Sequence, residues 1–202
     1  MSLPTDIKKK LRKKLYLYEG NFNHLYLDTK GKVTIGVGHL IPHRGAISAV
    51  KLYTTKNDQP SLPATLQNKQ NEYDKISKLP WGPRHGAASF KPHTTLIMKT
   101  TDINHLLNKH ISSFYKELST IYRKTNGYTE DFDNMHENIQ LALFDMIFNL
   151  GASKIVNVFK KFDAAIKAGD WKKAASESNR VDVNIARNQY VKELLATAPE
   201  NP

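Results

Sequence analysis

A single stretch of the chain, from about residue 134 to residue 150, is apolar on nearly every side of the helix that it would form. A helix without a polar face belongs in the middle of a bundle, because only neighbouring helices can bury it completely. The chain must therefore supply several helices around this one. The apolar residues of the stretch are Ile139, Leu141, Ala142, Leu143, Phe144, Met146, Ile147, Phe148 and Leu150.

Other segments supply these helices. A first helix is predicted to begin at Thr5 and to end at Glu19, because apolar residues recur every three to four positions and Gly20 is a typical stop. A long amphipathic helix is predicted to follow a cap at Thr101 or Asp102. Shorter helices are predicted at about 155–168, 171–178 and 185–195.

Between Leu25 and Val37 the apolar residues occupy every second position, which indicates strands. The residues from Asp28 to Gly31 are turn formers, so an antiparallel hairpin is expected. Asp28 and Thr34 are both out of phase with the apolar residues, and in a hairpin such residues lie on one face. The hairpin would thus bring a carboxylate and a hydroxyl to the same surface.

The region from about 50 to 93 contains five prolines, which interrupt any long helix. It is predicted to form loops and short elements within the domain. The whole chain of 202 residues is therefore predicted to be a single α+β domain, mainly helical, with one small sheet near its start. The prolines are Pro60, Pro63, Pro80, Pro83 and Pro92.

The composition of the chain restricts where the protein can act more than it restricts which reaction the protein can catalyse. The formal net charge of +11 attracts polyanions such as cell wall, nucleic acid or anionic membrane, without selecting among them. Cysteine is absent, so disulfides and thiolate chemistry are excluded.

The longest apolar run is too short for membrane insertion. The basic run at 8–14 lacks the apolar stretch of a secretory signal, so synthesis in the cytoplasm without a signal peptide is expected.

Three residues near the start suggest an enzyme that cleaves sugars. Glycoside hydrolysis uses one protonated carboxyl to donate to the leaving oxygen and one ionised carboxyl to activate water or stabilise positive charge. Taken singly, Glu19 is typical of a helix end, Asp28 of a turn and Thr34 of a strand. Only their combination indicates catalysis.

The start at Glu19-Gly20, the turn at Asp28 and the string Gly31-Lys32-Val33-Thr34-Ile35-Gly36-Val37-Gly38-His39 together resemble the phage-type lysozymes, the T-even phage endolysin family (glycoside hydrolase family 24). Later matches lie at 141–151 and 170–175, so the resemblance covers about 5–40 and 99–195. It implies a lysozyme-like two-lobe fold with the glycan bound between the lobes. A small β-containing lobe would span about 20–95, with an insertion at 50–93, and a helical lobe would span 96–202 plus the helix at 5–19.

The resemblance also implies roles for individual residues. Glu19 would be the general acid, Asp28 its ionised partner, and the Thr34 hydroxyl would place the attacking water. An inverting reaction is implied, whereas the sequence by itself leaves retaining chemistry open. Substrate contacts are implied for Leu40, Phe148 and Gly38, and supporting roles for Arg187 and His39.

Simpler interpretations of several of these residues remain open. Phe148 lies on an apolar helix and is equally well explained as a core residue. Arg187 is expected to fix Glu19 electrostatically or to be a solvated helix residue. His39 is typical of a structural hydrogen-bonding side chain. Gly38 is typical of a bent strand as well as of a close approach by a sugar.

The implied function is that of a monomeric muramidase, which hydrolyses the β-1,4 bond between N-acetylmuramic acid and N-acetylglucosamine. No cofactor is expected, and no metal, because the eight histidines show no metal-binding spacing. One alternative is a lysozyme-like module that binds peptidoglycan without cleaving it. Another is a basic helical protein that binds nucleic acid, although no nucleic-acid-binding motif is recognised.

Two settings fit a muramidase without a signal peptide. The first is a phage endolysin that reaches the periplasm or cell wall through a holin. The second is the lysozyme domain of an antibacterial toxin that a secretion system injects into a rival cell. Peptidoglycan is the expected partner in both, an immunity protein is expected only for the toxin, and nucleic acid is expected in neither.

Overall fold

A computed structural model describes residues 3–199 and confirms the mainly helical α+β class. The chain divides into two compact units. One comprises residues 15–109, and the other comprises residues 3–14 together with residues 110–199. The boundaries fall within the first helix, α1 (Thr5–Glu19), and within a long helix at Thr100–Ile121.

Helix α1 has the predicted bounds, and a glycine ends it. Gly20 has a φ of +74°, a left-handed conformation that other residues rarely adopt. A Cβ at this position would also lie only 2.5 Å from the ring of Phe22. The chain therefore turns sharply after Glu19 and enters the first strand two residues later.

The predicted hairpin forms the first of two sheets in the unit of residues 15–109. Its strands are antiparallel in the order β1-β2-β3, so β2 is central. Leu25, Leu27, Val33 and Ile35 are buried, as their alternation predicts. The strands are β1 (Phe22–Leu27), β2 (Val33–Gly36) and β3 (His39–Leu40).

A second three-stranded sheet corrects the expectation of only one sheet. The region of five prolines contributes a hairpin, and its order is β5-β4-β6. Proline is tolerated because β5 is an edge strand and needs fewer backbone donors. Asn57 and Asp58 connect β4 to β5 with positive φ values of 50° and 57°, as a tight hairpin turn requires. The strands are β4 (Tyr53–Lys56), β5 (Gln59–Pro63) and β6 (Leu96–Ile97).

The same region contains an eleven-residue helix, α2 (Leu66–Ile76), where only short elements were expected. Thr65 caps it by accepting a hydrogen bond from the Asn68 amide at 3.2 Å. Glu72 on α2 is buried, and its carboxylate accepts hydrogen bonds from the amides of Thr95 at 2.6 Å and Leu96 at 3.0 Å. Burial raises the pKa of Glu72. These bonds tie α2 to β6.

The apolar stretch at 134–150 is helix α4, and it is buried from Ile139 to Ile147 as predicted. It packs against α5 and α8. The helix predicted at 155–168 is in fact two helices, because the amides of Val158 and Phe159 both donate to the Lys154 carbonyl and Phe159 leaves the helical conformation. The helices are α3 (Thr100–Ile121), α4 (Glu137–Leu150), α5 (Ala152–Asn157), α6 (Lys160–Ala168), α7 (Trp171–Glu177) and α8 (Ile185–Ala196).

In the part of the chain that the structure describes, every helix is too short or too polar to cross a bilayer.

Candidate active site

A row of three residues crosses the first sheet. Thr34 on β2 is directly opposite Tyr26 on β1 and directly opposite Leu40 on β3. Residues paired in this way point to the same face of the sheet. Tyr26 and Thr34 are 7% and 3% exposed, whereas Leu40 is 45% exposed. The row therefore runs from a buried phenol and a buried hydroxyl to an apolar side chain that solvent reaches.

Asp28 follows Tyr26 by two residues and begins the turn between β1 and β2. Its Oδ1 accepts hydrogen bonds from the backbone amides of Lys30 and Lys32, both at 2.8 Å. Its own amide donates to the Lys32 carbonyl at 3.0 Å, and its carbonyl accepts from the Gly31 amide at 2.9 Å. The turn thus holds Asp28 through two hydrogen bonds to its carboxylate and two to its own backbone.

The Thr34 hydroxyl has a defined orientation. Its Oγ1 donates to the Lys32 carbonyl at 3.0 Å. Since the hydroxyl proton is used in this bond, the remaining lone pairs of Oγ1 can only accept. Lys32 therefore connects the two candidate groups, because its amide binds Asp28 and its carbonyl binds Thr34.

Tyr26 lies close enough to both carboxylates to be affected by their charges. Burial raises the pKa of the Tyr26 phenol, and the charges of Glu19 and Asp28 raise it further. Coulombic effects of this kind act between groups a few ångströms apart. The charges of the carboxylate at the end of α1 and of the carboxylate in the β1–β2 turn therefore both act on the Tyr26 phenol.

The remaining candidates of this unit lie where β2 turns into β3. Gly38 has a φ of +68°, which favours glycine, and its backbone forms a hydrogen bond with the Tyr26 phenol. His39 on β3 is opposite Ile35 and is partly exposed. Of the eight residues singled out from the sequence, six lie in the unit of residues 15–109: Glu19, Asp28, Thr34, Gly38, His39 and Leu40.

Phe148 and Arg187 belong to the other unit. Phe148 is partly exposed on α4 and contacts two aromatic rings edge-on, with centroid distances of 5.5 Å to Phe114 and 6.3 Å to His110. Substrate binding by Phe148 stays a prediction.

Arg187 on α8 takes part in a buried ion cluster. Its Nε donates to both oxygens of Asp145 on α4, at 3.1 and 3.0 Å. Arg180 donates to the same carboxylate at 2.7 Å, and all three residues are at most 5% exposed. Arg187 is therefore not a solvated helix residue, and its proposed effect on Glu19 stays a prediction.

Sequence reasoning missed two of these features. Tyr26 is out of phase with Leu25 and Leu27, so its register already places it on the face of Asp28 and Thr34. Asp145 is the one charged residue of the apolar stretch at 139–150, and a carboxylate in such a helix requires a buried cation as partner.

The structure gives no candidate metal centre in residues 3–199, since no three histidine, aspartate or glutamate side chains converge there. The polar groups of the candidate site are instead two carboxylates, a phenol and a hydroxyl. This set can donate, accept and transfer protons, and it can stabilise positive charge.

Comparison with known proteins gives a relative that is named as a lysozyme. No protein-family model matches the chain. The chain is similar to a curated protein named Probable T4-type lysozyme 2, from Dictyostelium discoideum, with 29% identity over 160 residues. The matched region covers 79% of this chain and 75% of the relative. This similarity supports a lysozyme family, in agreement with the α+β fold.

Proposed function

We propose that the chain is a muramidase of the phage type, which hydrolyses the β-1,4 linkage between N-acetylmuramic acid and N-acetylglucosamine in peptidoglycan. The observation that carries the proposal is the geometry of the β1–β2 hairpin, where the Lys32 amide binds the Asp28 carboxylate and the Lys32 carbonyl binds the Thr34 hydroxyl. Together with the Glu19 carboxyl at the end of α1, these groups are the ones that glycoside hydrolysis needs. The lysozyme relative supports the same reaction class.

In this proposal Glu19 is the general acid. It is the last residue of α1, and Gly20 turns the chain away immediately after it. A carboxyl at a helix end is accessible to a substrate while the helix fixes its backbone. Glu19 would donate its proton to the glycosidic oxygen as the bond breaks, so that the leaving sugar departs as a neutral alcohol.

Asp28 and Thr34 are proposed to act on the face of the sugar that is opposite the leaving group. Both backbone amides that bind Asp28 use Oδ1, so Oδ2 is the oxygen proposed to meet water or the anomeric carbon. Thr34 Oγ1 can accept a hydrogen bond from that water, because its own proton is given to Lys32. A water held in this way attacks the anomeric carbon as the glycosidic bond breaks, gives up a proton to the Asp28 carboxylate and inverts the configuration of that carbon.

Leu40 and Gly38 are proposed to contact the glycan. Leu40 is the exposed end of the row that contains Thr34, and apolar side chains there would cover the C–H face of a sugar. Gly38 is proposed to let a sugar approach the β2–β3 turn closely, and its backbone hydrogen bond with Tyr26 fixes that turn.

The test is clearance of a suspension of purified peptidoglycan by the parent protein and by Glu19→Gln and Asp28→Asn. Both variants are nearly isosteric with the parent residues, so circular dichroism should show an unchanged fold. Loss of turnover by about a hundredfold or more in each variant is expected. Full activity of Glu19→Gln would contradict the assignment of the acid.

Binding without cleavage defines the alternative, a lysozyme-like module that has lost catalysis. Parent protein that sediments with several wall types but clears none of them would establish that alternative. Clearance, in contrast, leaves the setting to be decided between a phage endolysin and the lysozyme domain of an antibacterial effector. An effector is expected to bind an immunity protein that blocks clearance, and an endolysin is not.

A further inference from the structure

An exposed tryptophan lies against the turn that carries Asp28. Trp81 comes from the region that has no counterpart in the resemblance, yet its indole contacts Gly31 in the β1–β2 turn. A Cβ added to Gly31 would lie 2.6 Å from Cε2, 2.8 Å from Nε1 and 2.9 Å from Cδ2 of the indole. Gly31 also has a φ of +69°. Glycine is thus required there both by the backbone and by the indole.

These distances show how the ring is oriented. Cε2 is a ring-fusion atom, so it has bonded ring atoms on every side in the plane of the indole. A point that is closest to Cε2, and nearly as close to Nε1 and Cδ2, must therefore lie above that plane. Gly31 therefore covers one face of the Trp81 indole. The side chain nevertheless remains 53% exposed. Because one face is covered, this exposed area belongs to the other face and the ring edge.

The segment that carries Trp81 is held at both ends. Before it, α2 ends at Ile76, which is completely buried. After it, the His24 ring on β1 donates from Nε2 to the Ala87 carbonyl at 3.0 Å, and Phe90 is buried. Between these points Pro80 and Pro83 restrict the backbone on either side of Trp81. The indole is thus presented on a constrained loop.

The exposure of Trp81 calls for an explanation. Tryptophan buries a large apolar area when it serves packing alone, as Trp171 does in the other unit with 4% exposure. At Trp81 one face packs against Gly31 and much of the side chain is left to solvent, beside the turn that carries Asp28. Aromatic side chains are among the commonest residues to line ligand-binding sites. The ligand must present a flat apolar surface and must also reach the Asp28 turn.

We propose that the free face of Trp81 stacks against a pyranose ring of the peptidoglycan glycan, and so forms a sugar subsite beside the Asp28 turn. One face of a β-linked pyranose displays axial C–H groups, and these carry partial positive charge that the negative face of an indole attracts. This inference rests on the proposed function and adds a binding residue from the region of 50–93.

Binding of a soluble β-1,4-linked hexamer of N-acetylglucosamine tests the proposal without turnover. The hexamer is titrated into Glu19→Gln protein, alone and combined with Trp81→Leu or Trp81→Phe, and heat of binding is measured. Trp81→Leu should raise the dissociation constant by about three- to tenfold, because the aromatic face is lost. Trp81→Phe keeps an aromatic face and should recover most of the affinity. Leu62→Ala is the control, since Leu62 is 70% exposed on β5.

Intrinsic fluorescence gives an independent readout. The chain has two tryptophans, of which Trp171 is buried, so hexamer binding should change the emission of Trp81 and leave the spectrum of the Trp81→Phe variant nearly constant. Absence of hexamer binding, or equal affinity of Trp81→Leu and its Glu19→Gln background, would overturn the subsite.

Clearance of peptidoglycan by the parent protein is measured separately. If clearance occurs and the hexamer binds independently of Trp81, the proposed subsite is wrong but the proposed muramidase activity is supported. If the hexamer binds through Trp81 but clearance does not occur, the subsite is supported and the proposed muramidase activity is wrong.

Discussion

Tyr26 lies directly opposite Thr34 in the β1–β2 ladder, and both polar side chains are almost completely buried. Neither is left without a partner, since the phenol forms a hydrogen bond with the Gly38 backbone and the hydroxyl donates to the Lys32 carbonyl. Satisfied polar groups in such a position are held rigidly. The pair therefore gives β1 and β2 a rigid polar position next to the turn that carries Asp28.

The hydroxyl of Thr34 can be removed without a change of shape. Thr34→Val should lower the rate of peptidoglycan clearance by about a hundredfold, because the group proposed to hold the attacking water is lost. The free energy of unfolding should fall by only about 1 kcal/mol, the typical worth of one hydrogen bond. Thr34→Ser keeps the hydroxyl and serves as the control. Equal clearance by the valine and serine variants would rule out a role for the hydroxyl.

Asp28 has two separable functions, since it builds a turn and is proposed to act on the substrate. Asp28→Asn keeps an Oδ1 that accepts from the amides of Lys30 and Lys32, whereas Asp28→Ala removes it. Both variants should lose clearance, but the alanine variant should also lose about 1–2 kcal/mol of stability. Chemical unfolding measures the difference. An alanine variant as stable as the asparagine variant would show that the turn does not depend on this carboxylate.

The sequence predicted the parts of the site that depend on local pattern. The ends of α1 and the hairpin follow from apolar periodicity and from glycine positions, whereas the shared face of Asp28 and Thr34 stays a prediction. It did not predict the second sheet, because Pro60 and Pro63 argue against a strand unless that strand lies at an edge. Edge position depends on which strands pair, and pairing between residues far apart in sequence has no local signal.

Long-range partners were missed for the same reason. Trp81 meets Gly31 across fifty residues of chain, and nothing in the local sequence of either indicates the contact. The buried cluster of Asp145 with Arg180 and Arg187 joins segments separated by 35 and 42 residues. A buried role for Asp145 could be inferred from its place in an apolar helix. Nothing in the sequence, however, indicates which arginines of the chain bind it.

That cluster should dominate the stability of its unit. Asp145→Asn removes the buried negative charge that both guanidinium groups contact, so the free energy of unfolding should fall by about 3–5 kcal/mol. The control is the surface pair of exposed Lys173 and partly exposed Glu177, with 3.5 Å between Nζ and Oε1. Glu177→Gln should cost no more than about 0.5 kcal/mol. Thermal unfolding checks both, and similar melting temperatures for the two variants would contradict the prediction.

His24 should make the stability of the protein depend on pH. Burial is the main cause that lowers the pKa of His24 below 6.5, and the nearby charge of Lys91 lowers it further, although the bond to the Ala87 carbonyl opposes both. At pH values between the lowered pKa of the folded protein and 6.5, His24 binds more protons in the unfolded chain than in the folded chain. The free energy of unfolding should therefore fall as the pH decreases through 6.5, and this contribution should level off below the folded pKa.

The contribution of His24 can be isolated by comparison of variants. His24→Gln keeps a donor for the Ala87 carbonyl but cannot titrate, so it should lose less stability than the parent between pH 7.5 and pH 5. Burial also lowers the pKa of His110, and the raised pKa of Glu72 acts with the opposite sign, but both groups are the same in parent and variant. His43→Gln, at an exposed position, should keep the parent's pH dependence. Denaturant unfolding at each pH gives the comparison, and equal slopes for His24→Gln and the parent would show that His24 does not link folding to proton binding.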